Sequence, residues 1–130
     1  MTQGTTIQCL FLDPAGACIK MREKEEHYPG GELSSLTALN IHSLSSRVRD
    51  RLDPESRGRL QIATYDETIR FNMTLVDKPD DHLCVFQPYL PESRGVDSPT
   101  FVANRRWPNA GLYPTFETVF DSLWERSTPV

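Results

Sequence analysis

The sequence predicts an α/β protein in which helices pack against a mixed β-sheet. Three features carry this prediction: a short apolar run at 7–12, an amphipathic helical pattern from Glu32 to Leu52, and an aromatic helical face that follows Pro114. Strand patterns fill most of the chain between the two helical patterns. With 130 residues, of which 38% are hydrophobic, the chain is expected to form a single domain, 1–130, around one core.

The first predicted element is the strand Ile7 to Leu12, whose sequence IQCLFL is an almost continuous apolar run. Such a run is typical of a central strand that is buried on both faces. Two interpretations of Asp13, at its end, stay open: a functional group at the end of a buried strand, or an ordinary Asp-Pro turn. A short helix is expected near 19–26, with the charges of 22–26 on a solvated face.

A long helix is predicted from Glu32 to Leu52, because apolar residues recur there at helical spacings and draw one stripe. The helix is expected to end at Asp53-Pro54, since proline restricts the residue before it and cannot continue the hydrogen-bond ladder. The stripe consists of Leu33, Leu36, Leu44, Val48 and Leu52.

Strands dominate the middle of the chain. The run at 59–65 alternates apolar and polar residues, and the runs at 68–76 and 82–89 form two arms around the turn-rich segment 77–81. A further strand is expected at 100–104. These segments supply the predicted sheet.

The closing helix is predicted to start at Pro114, which suits the first position of a helix. Its apolar face is expected to belong to the core, although the same face could instead dock a partner. That face consists of Phe116, Val119, Phe120, Leu123 and Trp124.

Charge and composition exclude several functions. A formal net charge of -4, without a basic run longer than Arg105-Arg106, argues against a general grip on nucleic acid or an anionic membrane. No apolar stretch approaches the roughly 20 residues of a membrane span. The first residues lack the pattern of a signal peptide, so the expected location is cytoplasmic. The three cysteines and three histidines show no metal-ligand spacing, so neither a metal nor a cofactor is predicted.

The most informative motif is Arg70-x-Asn72, followed after four residues by Asp77. This is the spacing of the catalytic His-x-Lys-x4-Asp motif of phospholipase D-like enzymes. The chain resembles a phospholipase D-like domain of the type that follows helix-turn-helix regions in bacterial regulators. The other anchors of the resemblance are Leu12-Asp13-Pro14, Arg22-Glu23, Ser98-Pro99-Thr100-Phe101 and Phe120-Asp121-Ser122-Leu123-Trp124.

The resemblance implies that the family's catalysis is lost. The parent enzymes attack a phosphodiester with a histidine, which serves as nucleophile and proton donor in turn. Arg70 stands at that position and stays protonated, so it cannot attack. Asn72 replaces the lysine, and Gln87-Pro88-Tyr89 departs from the sequence that usually follows the second arm. No hydrolysis by the family's route is expected.

Binding can survive the loss of catalysis, because an arginine beside an asparagine amide is a good anion receptor. We expect a regulatory, non-catalytic domain that binds a phosphorylated or other anionic ligand; the alternative is that Arg70 and Asn72 lie on a merely solvated strand face. The resemblance also implies a homodimer that pairs the motif faces, with any DNA-binding part on another chain or removed, since Ile7 already begins a strand. The predicted ligand-binding residues are Arg70, Asn72, Asp77, Gln87, Ser98 and Asp13.

Two other functions stay open. Cys84, His82 and Asp81 lie close in sequence, and a thiol–imidazole pair can form a nucleophile, which would make the chain an enzyme of different chemistry. A domain that binds a partner protein through its aromatic C-terminal helix is the third hypothesis.

Overall fold

The computed structural model describes residues 4–90, 97–105 and 111–130. It confirms the predicted α/β class: helices accompany a mixed sheet, and the strands divide between two three-stranded sheets. The chain forms two compact units. The first comprises 1–67 and 126–130, and the second comprises 68–125.

The sheet of the first unit is mixed. Strand β2 lies between β1, to which it is parallel, and β6, to which it is antiparallel. The expectation of a central first strand is therefore wrong: β1 lies at an edge of this sheet, and its first two residues are exposed. The central strand is β2, with Ile62 and Ala63 almost fully buried. The strands are β1, Ile7–Leu12; β2, Leu60–Tyr65; and β6, Thr128–Pro129.

Helix α1 buries two carboxylates, against the expectation of a solvated charged face. Ile19, Glu23 and Glu26 lie on one side of the helix and are 0%, 4% and 5% exposed. The Glu23 carboxylate accepts hydrogen bonds from the Gly31 N–H and from the Ser34 hydroxyl, at 2.6 Å from the hydroxyl. A buried carboxylate is tolerated when such donors satisfy it. Helix α1 spans Ala17–Glu25.

The predicted long helix forms as one uninterrupted helical run, but the type of helix changes along it. The α-helical part is followed by a π-helical segment and then by a short 3₁₀ turn. Leu52 and Asp53 are extended, and the proline at 54 favours this conformation for Asp53, the residue before it. Asp53 then caps another short helix, accepting the Ser56 N–H at 2.9 Å. The segments are α2, Glu32–His42; π, Ser43–Val48; 3₁₀, Arg49–Arg51; and α3, Pro54–Arg57.

The predicted apolar stripe of this helix is not a buried one. No residue between 32 and 51 is buried. Within the predicted stripe, Leu36 and Val48 are 46% and 45% exposed, and the other three leucines are half-buried. A helix of this composition normally buries its apolar face. The core of the first unit relies instead on residues of β1, α1 and β2: Leu12, Ile19, Leu60, Ile62 and Ala63.

The second unit is an antiparallel sheet, in the order β3-β4-β5, with one helix. Phe116 on the helix contacts Phe71 and Phe86, at ring-centroid distances of 5.1 and 4.3 Å. Cys84 and Tyr113 complete the buried cluster. The elements are β3, Phe71–Lys78; β4, Asp81–Pro88; β5, Phe101–Asn104; and α4, Tyr113–Glu125.

The β3–β4 hairpin has a two-residue turn at 79–80, and this fixes its register. Asn72 lies opposite Gln87, and Asp77 lies opposite His82. Residues 71, 73 and 75 pack on the core formed with α4, so residues 72 and 74 lie on the other face of the sheet.

Candidate functional site

Two of the predicted ligand-binding residues meet on the open face of the second unit's sheet. The Asn72 side-chain amide donates to Gln87 Oε1 at 3.3 Å, and the Gln87 amide donates to Thr100 Oγ1 at 2.9 Å. Asn72 and Thr100 are exposed, and Gln87 is half-buried. These three side chains, the polar ladder, run across β3, β4 and the residue that precedes β5.

Arg70 continues the hairpin beyond the end of β3. Its carbonyl accepts the Tyr89 N–H at 2.6 Å, so the ladder of backbone hydrogen bonds extends one residue pair past Phe71 and Pro88. Side chains alternate along such a pairing, which places Arg70 on the side of Asn72. Arg70 is exposed. The backbone thus places Arg70 on the same face of the hairpin as the polar ladder.

The polar ladder presents donors. The hydrogen bonds run in one direction, from Asn72 to Gln87 to Thr100. An amide nitrogen carries two hydrogens, and a hydroxyl that accepts a hydrogen bond still has its own hydrogen to donate. The second hydrogen of Asn72 Nδ2 and the Thr100 hydroxyl therefore suit an acceptor-rich ligand, and the positive charge of Arg70 suits an anion.

The other predicted site residues do not belong to the polar ladder. Ser98 is 8% exposed and precedes the polar ladder's Thr100 by two residues. Asp77 is five residues along β3 from Asn72, about 16 Å at the usual rise per residue, and on the opposite face. Asp13 belongs to the first unit, where its Oδ1 accepts the Ala15 N–H at 2.9 Å and opens a turn. One phosphate-sized ligand cannot touch Asn72 and Asp77 together.

Asp77 instead forms a second polar group at the turn end of the hairpin. Its Oδ1 lies 2.7 Å from His82 Nδ1, an ion-pair distance without the alignment of a hydrogen bond. The His82 ring packs edge-on against Tyr113, with centroids 5.6 Å apart. A carboxylate and an imidazole across a strand pair hold each other's orientation, which is how this cluster fixes the turn end.

Tyr113 is the most perturbed titratable group of the cluster. Burial raises the pKa of its phenol to about 12, and the negative charges of Glu117 and Asp77 act in the same direction. The phenol donates a hydrogen bond to the Glu117 side chain. A buried phenol with this pKa stays protonated at neutral pH and acts as a structural donor.

The thiol–imidazole hypothesis meets a physical obstacle at Cys84. His82 and Cys84 do share a face, because β4 is regular, while Asp81 lies on the other face. However, Cys84 is 0% exposed, and burial raises the pKa of its thiol. A nucleophilic cysteine needs a thiolate and access to substrate. The geometry around Cys84 is that of a core residue.

The aromatic face of α4 is only partly exposed. Tyr113 and Phe116 are buried, while Phe120 and Trp124 are half-buried and stack on each other at 6.1 Å. The two buried rings are committed to the core with Cys84. The hypothesis that this helix binds a partner protein therefore rests on Phe120 and Trp124, and it stays a prediction.

The described residues, 4–90, 97–105 and 111–130, include no group of three or more His, Cys, Asp or Glu side chains that could hold a metal ion. Within the same residues, no helix combines the length and the apolar character needed to cross a bilayer. None of the three cysteines forms a disulfide.

Fold and site together define a small α/β protein with a polar surface ladder beside an arginine. The chain belongs to the family described as a domain of unknown function, DUF5919, which matches residues 1–130. No curated protein and no solved structure matches the chain.

Two residues of these groups were not predicted. Thr100 completes the polar ladder, and its position follows from the β4–β5 register, which pairs Phe86 with Phe101. His82 as the partner of Asp77 follows from a two-residue turn at 79–80. Placing the turn at those two residues, rather than over 77–81, would have found that pair from the sequence.

Proposed function

We propose that the chain is a non-catalytic, cytoplasmic ligand-binding domain that recognises an anionic, phosphorylated small molecule through Arg70 and the polar ladder. The observation that carries the proposal is the ladder itself. Three side chains from three parts of one sheet are held in a line of hydrogen bonds on an open face. Preordered donors lose little side-chain entropy when a ligand binds.

The chemistry of Arg70 and of the polar ladder supports binding rather than catalysis. Arginine stays charged at any working pH and cannot take or give a proton. The neighbours Asn72, Gln87 and Thr100 are amides and a hydroxyl, which donate and accept hydrogen bonds without titrating near neutral pH. Such groups bind a ligand through charge and hydrogen bonds and do not transfer protons. This agrees with the resemblance to a phospholipase D-like motif that has lost its catalytic residues.

The distance between the polar ladder and the Asp77–His82 pair limits which residues can contact the proposed ligand. Because Asp77 lies at the other end of the strand and pairs with His82, the anion site contains no carboxylate from the motif. A negative side chain close to Arg70 would compete with an anionic ligand. The separation keeps the Asp77 carboxylate out of the site that Arg70 and the polar ladder would form.

The test is thermal-shift screening of the protein with inorganic phosphate, nucleoside monophosphates, cyclic nucleotides and sugar phosphates. A ligand at about a hundredfold excess over its Kd stabilises the folded state by about 2.7 kcal/mol. We expect at least one compound to raise Tm for the wild type but not for Arg70→Ala, and less for Asn72→Ala.

The matched control is Arg105→Ala. Arg105 is an exposed arginine of the same unit, and it follows β5 at the end of the sheet where His82 lies. Its removal changes the net charge as Arg70→Ala does, so a general electrostatic effect would appear in both variants. A shift that survives Arg70→Ala, or that is lost equally in Arg105→Ala, would contradict the proposed site. So would a wild type that no phosphorylated compound stabilises.

A further inference from the structure

The helical run from Glu32 to Arg51 is unusual because most of it carries no charged side chain. Its residues 33–46 include no Asp, Glu, Lys or Arg, although these types make up 25% of the chain. None of its residues is buried. Helix faces in contact with water normally carry charge, whereas the centres of protein interfaces are depleted of charge.

Five residues of this run form one line along its surface, the outer stripe. Their spacings of four, three, four and four residues keep them on one side of the helix. Leu36 and Leu39 are 46% and 56% exposed, which places the apolar centre of the line in solvent. The outer stripe consists of Glu32, Leu36, Leu39, Ser43 and Arg47.

The charges of the outer stripe are confined to its ends and have opposite signs. Glu32 lies in the first turn of α2, and Arg47 lies near the end of the π segment. Two copies aligned in parallel would oppose like charges at both ends. In two antiparallel copies, Glu32 of each copy would face Arg47 of the other, which gives two ion pairs. The antiparallel helix dipoles would also attract each other.

We propose that the outer stripe is the interface of a homodimer, in which it packs antiparallel against the outer stripe of a second copy about a two-fold axis near Leu39. In this register Leu36 faces Ser43 of the second copy, so a large side chain meets a small one. The two Leu39 side chains meet at the axis. The interface is isologous, as two-fold symmetry requires, and its charge complementarity comes from the two ends of one helical face.

This interface differs from the one that the resemblance implies, which would pair the motif strands. It lies in the first unit, while Arg70 and the polar ladder lie in the second. The inference does not depend on the proposed ligand.

The first test is sedimentation equilibrium of the full chain and of Leu39→Lys. The substitution places two charges against each other at the axis, so we expect the dimer's Kd to rise at least about a hundredfold. Lysine is a good helix former at an exposed position, so the fold should persist. Leu112→Lys is the matched control, because Leu112 is 57% exposed in the second unit; its dimer should match the wild type.

Charge reversal gives the second test. Glu32→Arg and Arg47→Glu should each weaken the dimer by about tenfold, because each disturbs both end pairs. The double variant should return to within about threefold of the wild type, since it exchanges the partners.

A wild type that stays monomeric at high concentration would overturn the proposal and leave the outer stripe to a different protein partner. A dimer that survives Leu39→Lys, or a double reversal that is no better than the singles, would overturn it as well. Circular dichroism and Tm of each variant confirm that the fold is retained.

Discussion

The carboxyl group of Asp66 lies directly against Gly16, so that a Cβ added to Gly16 would come within 2.5 Å of it. Asp66 follows β2, and its oxygens accept the N–H groups of Ala17 and Cys18 at 3.3 and 3.0 Å. These are the first N–H groups of α1, which have no partner within the helix. The same hydrogen bonds, above all that from Cys18, hold the pKa of Asp66 below its usual range. A residue far along the chain thus caps α1.

Gly16→Ala is expected to destabilise the protein by about 1 kcal/mol, because the added methyl group would push the exposed Asp66 carboxylate away from the two N–H groups that it caps. The backbone of Gly16 is extended, so the clash with Asp66 is the whole cause. Urea denaturation measures the effect. Gly58→Ala is the control, because its Cβ would meet nothing closer than 3.9 Å and its φ is -66°; it should be neutral or stabilising.

Glu23→Gln should destabilise the first unit by about 2 kcal/mol, because a buried donor is left without an acceptor. Glu23 receives both the Gly31 N–H and the Ser34 hydroxyl, and a glutamine offers one oxygen for these two donors. Glu125→Gln, on an exposed residue of α4, supplies the control. Equal free energies of unfolding for the two variants would show that the Glu23 carboxylate is not needed.

His27→Gly should stabilise the protein by about 1 kcal/mol. His27 has a φ of 56°, and the Tyr28 and His27 N–H groups bond back to Glu23 and Lys24. This is the Schellman arrangement, in which the left-handed position favours glycine. The same substitution at His42, where φ is -60°, should instead destabilise, since glycine is a poor helix former. Thermal unfolding of both variants measures whether Tm rises for His27→Gly and falls for His42→Gly.

Tyr113→Phe should change how stability responds to alkaline pH. Burial raises the pKa of Tyr113 to about 12, whereas an unfolded tyrosine titrates near about 10. The stability that Tyr113 contributes is therefore complete below pH 10 and is lost as the pH rises from about 10 through about 12. We expect Tyr113→Phe to cost about 1 kcal/mol at pH 8, through the lost hydrogen bond, and less at pH 11. A difference that is the same at both pH values would contradict this.

Alkylation of Cys84 should be at least about a hundredfold slower in the native protein than in denaturant, because the thiol is buried and its raised pKa lowers the thiolate fraction. Mass spectrometry of the peptide that contains Cys84 gives the rate. Rapid reaction near neutral pH would revive the hypothesis of a thiol nucleophile beside His82.

The elements of the fold were largely predictable from sequence, because hydrophobic periodicity and proline positions report local structure. The helix end before Pro54, the hairpin arms and α4 follow from such patterns. The burial and the neighbours of each element do not follow from these patterns. The run at 7–12 has the composition of a central strand, but β1 pairs only with β2 among the described strands. Burial of Glu23 depends on Gly31 and Ser34, whose approach no periodicity encodes.

The candidate site was predicted in part. Asn72 and Gln87 were named, and the structure brings them together as cross-strand partners. Asp77 was grouped with them by motif spacing, but an odd separation along a strand reverses the face. Register decides which residues meet, and register depends on where the turn falls.

The order of strands in the first unit has a consequence for biosynthesis. Its strand β2 gains its second neighbour, β6, from 128–129, after the whole of 68–125 has been made. While 68–125 is being made, β2 therefore keeps an open strand edge at Ala63 and Thr64. Such an edge is a template for wrong pairing, so a nascent chain arrested before Thr128 should be more prone to aggregate than the released protein.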